Sequence, residues 1–133
     1  MKLNSNGFSL VEVLVAIIIS LLVFFAMIQV TLVTIDSNIR NSLRNEAVDI
    51  ATTKINEVLN KPFTALTAGT STETVARSFN NIQNFQYTVT STITDLSSDY
   101  KQINIMVRWE WKEKTVSSGD PYTYSMTTLR KST

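Results

Sequence analysis

The 133-residue sequence contains no cysteine and no histidine. The first absence removes disulfides, thiol nucleophiles and thiolate metal sites, and the second removes Ser-His-Asp catalysis and imidazole-ligated metals. Charge is sparse at 17% of residues, and a net charge of +1 gives no bulk attraction for nucleic acid. Composition therefore disfavours an enzyme and implies no cofactor. What charge there is lies almost entirely at one end. Of 12 basic and 11 acidic residues, Lys2 and Glu12 alone fall before residue 36. The length is that of one domain, but this asymmetry excludes an evenly composed soluble globule.

Residues 13–35 read VLVAIIISLLVFFAMIQVTLVTI, without a charge. As a helix they rise about 35 Å, enough to cross a hydrocarbon core of about 30 Å. The stretch is apolar all round, which suits lipid or the centre of an assembly rather than a surface helix. The remainder of the chain is too small to cover it as a buried core helix. A cleavable secretory signal fits poorly, because the apolar run is long, a single lysine precedes it and no A-x-A pattern follows. Glu12 stands just inside the run. The helix dipole favours an acid there, and an ionisable group at membrane depth commonly has a partner. No Lys or Arg occurs between Glu12 and Arg40, so an amino group of a neighbouring subunit is the candidate.

The segment GFSLVEVLVA, residues 7–16, preceded by the short polar MKLNSNG, resembles the prepilin-type cleavage and methylation motif of type IV pilins and type II secretion pseudopilins. The resemblance implies cleavage between Gly7 and Phe8 by a prepilin peptidase on the cytoplasmic side. It implies N-methylation of the new Phe8 amine, and a role for Glu12 in methylation or assembly through the Phe8 amine of an adjacent subunit. Implied partners are other pilin or pseudopilin subunits, the peptidase/methyltransferase and an inner-membrane assembly platform. The implied location is a single-pass bacterial inner-membrane precursor with a cytoplasmic N terminus, then a periplasmic or extracellular filament. Gly7 has no side chain to obstruct a protease. Many family members carry a proline about three turns into the helix, whereas AMIQVTLVTI has none, a departure more at home in a minor pilin or pseudopilin. The phrases KQINIMVRWEW and YTYSMTTLR resemble more weakly the C-terminal strands of PilV-type minor pilins.

Beyond the span, apolar residues continue at Ile39, Leu43, Ala47, Ile50, Ile55, Val58 and Leu59, in steps that are mostly helical. Pro62 ends the pattern. A helix from Phe8 to about Asn60 would rise near 80 Å. Residues 61–84 are rich in Thr, Ser and Asn and read as a long connecting loop with one short strand near Val75 to Phe79. Period-2 alternation over 85–93, 103–111 and 122–126 predicts three half-buried strands. The expected fold is α+β and pilin-like: a long N-terminal helix, hydrophobic then amphipathic, packed on a three-stranded antiparallel sheet. The expected organisation is a leader over 1–7, a transmembrane or filament-core helix over 8–35, its amphipathic continuation over 36–60, the connecting loop over 61–84 and the sheet over 85–133.

No catalytic constellation emerges. Asp95, Asp99, Glu110, Glu113 and Asp120 fall at turns or on a solvent face, and the DLSSDY turn lacks the spacing and glycine of a calcium loop. Arg108, Lys112, Lys114, Arg130 and Lys131 give the last third a modest positive excess near Tyr and Trp residues, but without a basic stripe nucleic acid is a disfavoured partner. The leading expectation is a minor pilin or pseudopilin. The alternative is a membrane-anchored bitopic protein whose extracytoplasmic β domain binds a partner without polymerising.

Overall fold

The computed structural model describes residues 9–79, 82–111 and 121–132. The elements in order are helix α1 (Leu10–Leu59), a 3₁₀ turn (Phe63–Ala65) and strands β1 (Gly69–Phe79), β2 (Ile82–Asp95), β3 (Tyr100–Trp109) and β4 (Tyr122–Lys131). Two compact units divide at Ile39 and Arg40, within α1.

In the first unit, α1 is long and apolar enough to cross a membrane. Its large apolar side chains from Leu10 to Ile35 are 46% (Val15) to 83% (Leu10) exposed among the described residues. The hydroxyl groups in this stretch are satisfied locally. Ser20 donates to the Ala16 carbonyl at 2.8 Å, Thr31 to Met27 at 3.0 Å and Thr34 to Val30 at 2.9 Å. Each bond turns a side chain that would be costly in hydrocarbon into one that presents its carbon atoms.

In the second unit, the helical stripe Leu43, Ala47, Ile50, Ala51, Ile55 and Val58 is buried. So is the alternating set Tyr87, Val89, Ile103, Ile105, Val107 and Trp109 from the sheet. A 3.6-residue period on the helix and a 2-residue period on the strands put each set on one face, and the two faces bury each other. Leu66, just past the 3₁₀ turn, is buried as well. Lys101 of β3 lies 5.1 Å from the centre of the Phe63 ring, a cation–π contact tying that turn to the sheet.

The sheet is an antiparallel meander in the order β1-β2-β3-β4. It has four strands, where the alternation pattern predicted three; the region read as a connecting loop over 61–84 contains the eleven-residue strand β1. β1 pairs with β2 from Gly69↔Ile93 to Arg77↔Phe85, with a bulge before Phe79↔Ile82. At the bulge Asn84 adopts φ 54°, a left-handed conformation that Asn tolerates, and its N–H donates to the Ser78 hydroxyl at 3.1 Å. The outer face of the sheet is a field of threonines in register. Thr70 faces Thr92 with hydroxyl oxygens 3.3 Å apart, Thr72 faces Thr90 at 3.4 Å, and Asn104 donates to Thr127 at 2.7 Å.

Candidate functional site

Among the residues the sequence marks for function, Gly7 and Phe8 lie outside the described residues, as does Lys2. Glu12 lies inside them, in the first turn of α1. Ser9 precedes the helix, and its carbonyl accepts from the N–H groups of Glu12 (3.0 Å) and Val13 (3.2 Å). Ser9 thus occupies the N-cap position and Glu12 the third helical position, the S-x-x-E spacing of a capping box. The sequence reading missed this cap. It gives Glu12 a local reason to exist, because an acid in the first turn complements the helix dipole. An open groove along the helix is lined by Glu12 and, beyond it, Val13, Ala16, Ile17, Ser20, Leu21 and Phe24. Ala16 and Ser20, one turn apart, lower the surface there and give another helix room to approach.

The second unit carries its own network of charges. Lys54 bridges Glu57 on the helix at 2.9 Å and Glu73 on β1 at 2.8 Å. These bonds, to Glu73 first and then Glu57, hold the Lys54 ammonium above its ordinary range. Arg77 on β1 lies 3.3 Å from Glu46 and 3.6 Å from Asp49. Its buried Nε is near the Glu46 carboxylate yet makes no hydrogen bond, so the pair is held by charge more than by directed bonding. On β4, Arg130 donates to the carbonyls of Val58, at 3.4 Å, and Leu59. The last turn of α1 has no basic residue of its own, and a cation 71 residues later in the sequence supplies one. Tyr87, fully buried, donates from its hydroxyl to the Leu43 carbonyl at 3.2 Å.

An aromatic row crosses the strands at the Leu43 end. Phe79 meets Phe85, Phe85 meets Tyr87 and Trp111, Tyr87 meets Trp109, and Trp109 stacks on Tyr122 at 5.8 Å. Trp109 belongs to the core as its alternation implied, whereas Trp111 lies beyond the end of β3 and is half-buried. Of the five residues considered for nucleic acid, Arg108 is exposed on the outer face opposite the neutral Thr88 and Thr123, Arg130 is engaged at the end of α1, and Lys131 lies over the Tyr100 ring. Lys112 and Lys114 lie outside the described residues, as do Glu113 and Asp120. Asp95 pairs with Lys101, and the Asp99 carbonyl accepts from Ser132 at 2.8 Å. Among the described residues no three acidic side chains gather as a metal site would require.

The chemistry that stands apart is therefore at the start of α1: one carboxylate in the first turn, ahead of an uncharged and exposed apolar run that extends to Ile35. The model of the prokaryotic N-terminal methylation motif matches residues 2–28. No curated protein and no solved structure matches the chain. The chain carries the prepilin-type N-terminal motif of type IV pilins, the mark of a pilin-like protein that is processed as a prepilin and bears an apolar N-terminal helix.

Proposed function

We propose that the chain is a minor pilin or pseudopilin subunit. In this reading it enters the inner membrane as a precursor with its N terminus in the cytoplasm. A prepilin peptidase cuts between Gly7 and Phe8, the Phe8 amine is methylated, and an assembly platform packs α1 against the helices of other subunits. The subunit acts by polymerising, and we assign it no enzymatic role. The observation that carries this is the position of Glu12, the one charged residue from Ser9 to Ile35, at the start of a helical segment, Leu10 to Ile35, whose large apolar side chains are exposed among the described residues. In a helix-packed core that carboxylate needs a cation, and the nearest covalent source is the amine that cleavage creates four residues earlier on a neighbouring copy. Such a pair roughly breaks even against apolar packing, while breaking it costs about 3–5 kcal/mol, so it fixes register more than it adds stability.

Mass measurement tests the reading. Co-expression with a prepilin peptidase is expected to remove residues 1–7, and a methyltransferase to add one methyl to Phe8. A chain that stays intact from Met1 to Thr133 overturns it and leaves the bitopic, non-polymerising binding protein. Glu12→Gln isolates the charge, because glutamine preserves the S-x-x-E/Q cap. We expect more than about tenfold loss of this subunit from filaments, the direction set by leaving the amine unpaired. Incorporation at the wild-type level would show that Glu12 serves only the helix start.

A further inference from the structure

We propose that the β4 edge of the sheet pairs with the β1 edge of a second copy, joining the sheets of neighbouring chains side by side. Long strands end the sheet on both sides, and among the described residues no strand pairs with the far side of either. The first eight residues of β4, YTYSMTTL, contain no charge, proline or glycine and no register shift against β3. Edges are ordinarily protected by such features. The inward side chains of β4, Tyr122, Tyr124 and Met126, are only half-buried, whereas their β3 neighbours Trp109, Val107 and Ile105 are buried. A further strand would complete their cover.

Topology selects the occupant. Successive strands of a four-stranded meander alternate in direction, so β1 and β4 run opposite ways. A second copy in the same orientation offers its β1 to β4 as an antiparallel partner. Pairing β4 with β4 in antiparallel fashion would reverse one copy, and with it the helix that runs along the sheet from Leu43, beside Tyr87, to Leu59, beside Arg130. Copies that share one orientation cannot pair in that way. A step that keeps the strands level sets Ser125 opposite Thr72 and Thr127 opposite Thr70, continuing the threonine rows. A copy displaced by two or four residues sets Arg77 opposite Tyr122 or Tyr124, and none of these registers opposes like charges. The contact is head-to-tail and so can propagate. It needs only the folded sheet and a shared membrane, and stands whether or not the chain is processed as proposed above.

The natural chain has no cysteine, so introduced thiols report alone. Full-length chains bearing Thr123→Cys, Ser125→Cys or Thr127→Cys are co-expressed, without peptidase, with chains bearing Thr70→Cys, Thr72→Cys or Thr74→Cys, and the membranes are oxidised. A single chain carrying Thr72→Cys and Thr90→Cys, whose native hydroxyls are 3.4 Å apart, must close internally and so certifies the sheet. We expect interchain disulfides along one antiparallel register, each two-residue advance on β4 matched by a two-residue retreat on β1, at least tenfold above Ser125→Cys paired with itself. Absence of any β4–β1 disulfide, or equal yield from Ser125→Cys alone, overturns the proposal.

Discussion

Tyr87 shows how much a single side chain settles. Its ring is fully buried and its hydroxyl still finds the Leu43 carbonyl. Burial first, and then the nearby Glu46, push its phenol well above the ordinary value of 10.0, while Arg77 acts against them. The folded chain therefore holds that proton more tightly than the unfolded chain does. The resulting stability is complete below about pH 10 and is lost as the pH rises beyond it. Lys54 works in the same direction: Glu73 and Glu57 raise it above 10.5, so its contribution is also whole below that pH and fades above it. We expect the unfolding midpoint of the detergent-solubilised chain to hold level on approach to pH 10 and then decline. Tyr87→Phe should lower stability by about 1 kcal/mol near neutral pH and flatten the alkaline decline. An equally steep decline in the variant would remove Tyr87 from the account.

The end of α1 illustrates what an element borrows from its surroundings. The helix stops before Pro62, but its last carbonyls are met by Arg130 from β4. Arg130→Ala should cost about 1–2 kcal/mol in thermal unfolding, as expected for a charged donor at a partly buried helix C terminus. Arg130→Lys should fall between the two, because an ammonium keeps the charge and loses the planar fork. A variant as stable as the natural chain would mean that water serves those carbonyls equally well. Ile105→Ala, in the middle of β3 with no exposed surface, should cost about 2–5 kcal/mol. The same scale explains which elements could be read from the sequence. α1 announces itself by an uncharged apolar run followed by a helical stripe, and β2, β3 and β4 because one face of each is apolar at the period of its backbone. β1 does so only at its end, where the sequence predicts a short strand near Val75 to Phe79, since from Gly69 to Thr74 it is exposed on both faces and mostly Thr and Ser. The composition that looked like a loop is a strand made of a β-branched residue, stabilised by threonine neighbours 18 and 22 positions away. No local window contains that information. The long-range partners Arg130 and Arg77 escaped for the same reason, whereas Glu12 stood out because a lone carboxylate beside 23 uncharged residues is visible without any structure.

For the whole molecule, the two units differ in what completes them. The Arg40–Thr133 unit closes its own core, and the earlier one needs an environment to do so. In membrane extracts we expect the full chain to partition with the bilayer, and a fragment beginning near Arg40 to remain in the aqueous fraction with its sheet intact by circular dichroism. A fragment that aggregates would mean that the core depends on the apolar segment. The three hydroxyls of that segment have a consequence for what it costs to relocate it. Ser20, Thr31 and Thr34 each return their proton to a carbonyl one turn earlier and so ask nothing of whatever surrounds the helix. Lipid tails and the side chains of other helices are about equally apolar. For these three hydroxyls, passage from one to the other exchanges no hydrogen bonds and carries almost no solvation preference. Outside Gln29, the segment is close to indifferent to which of the two surrounds it, and the direction of such a transfer must be decided elsewhere, by packing geometry, by work done on the chain, at the Gln29 amide or at Glu12.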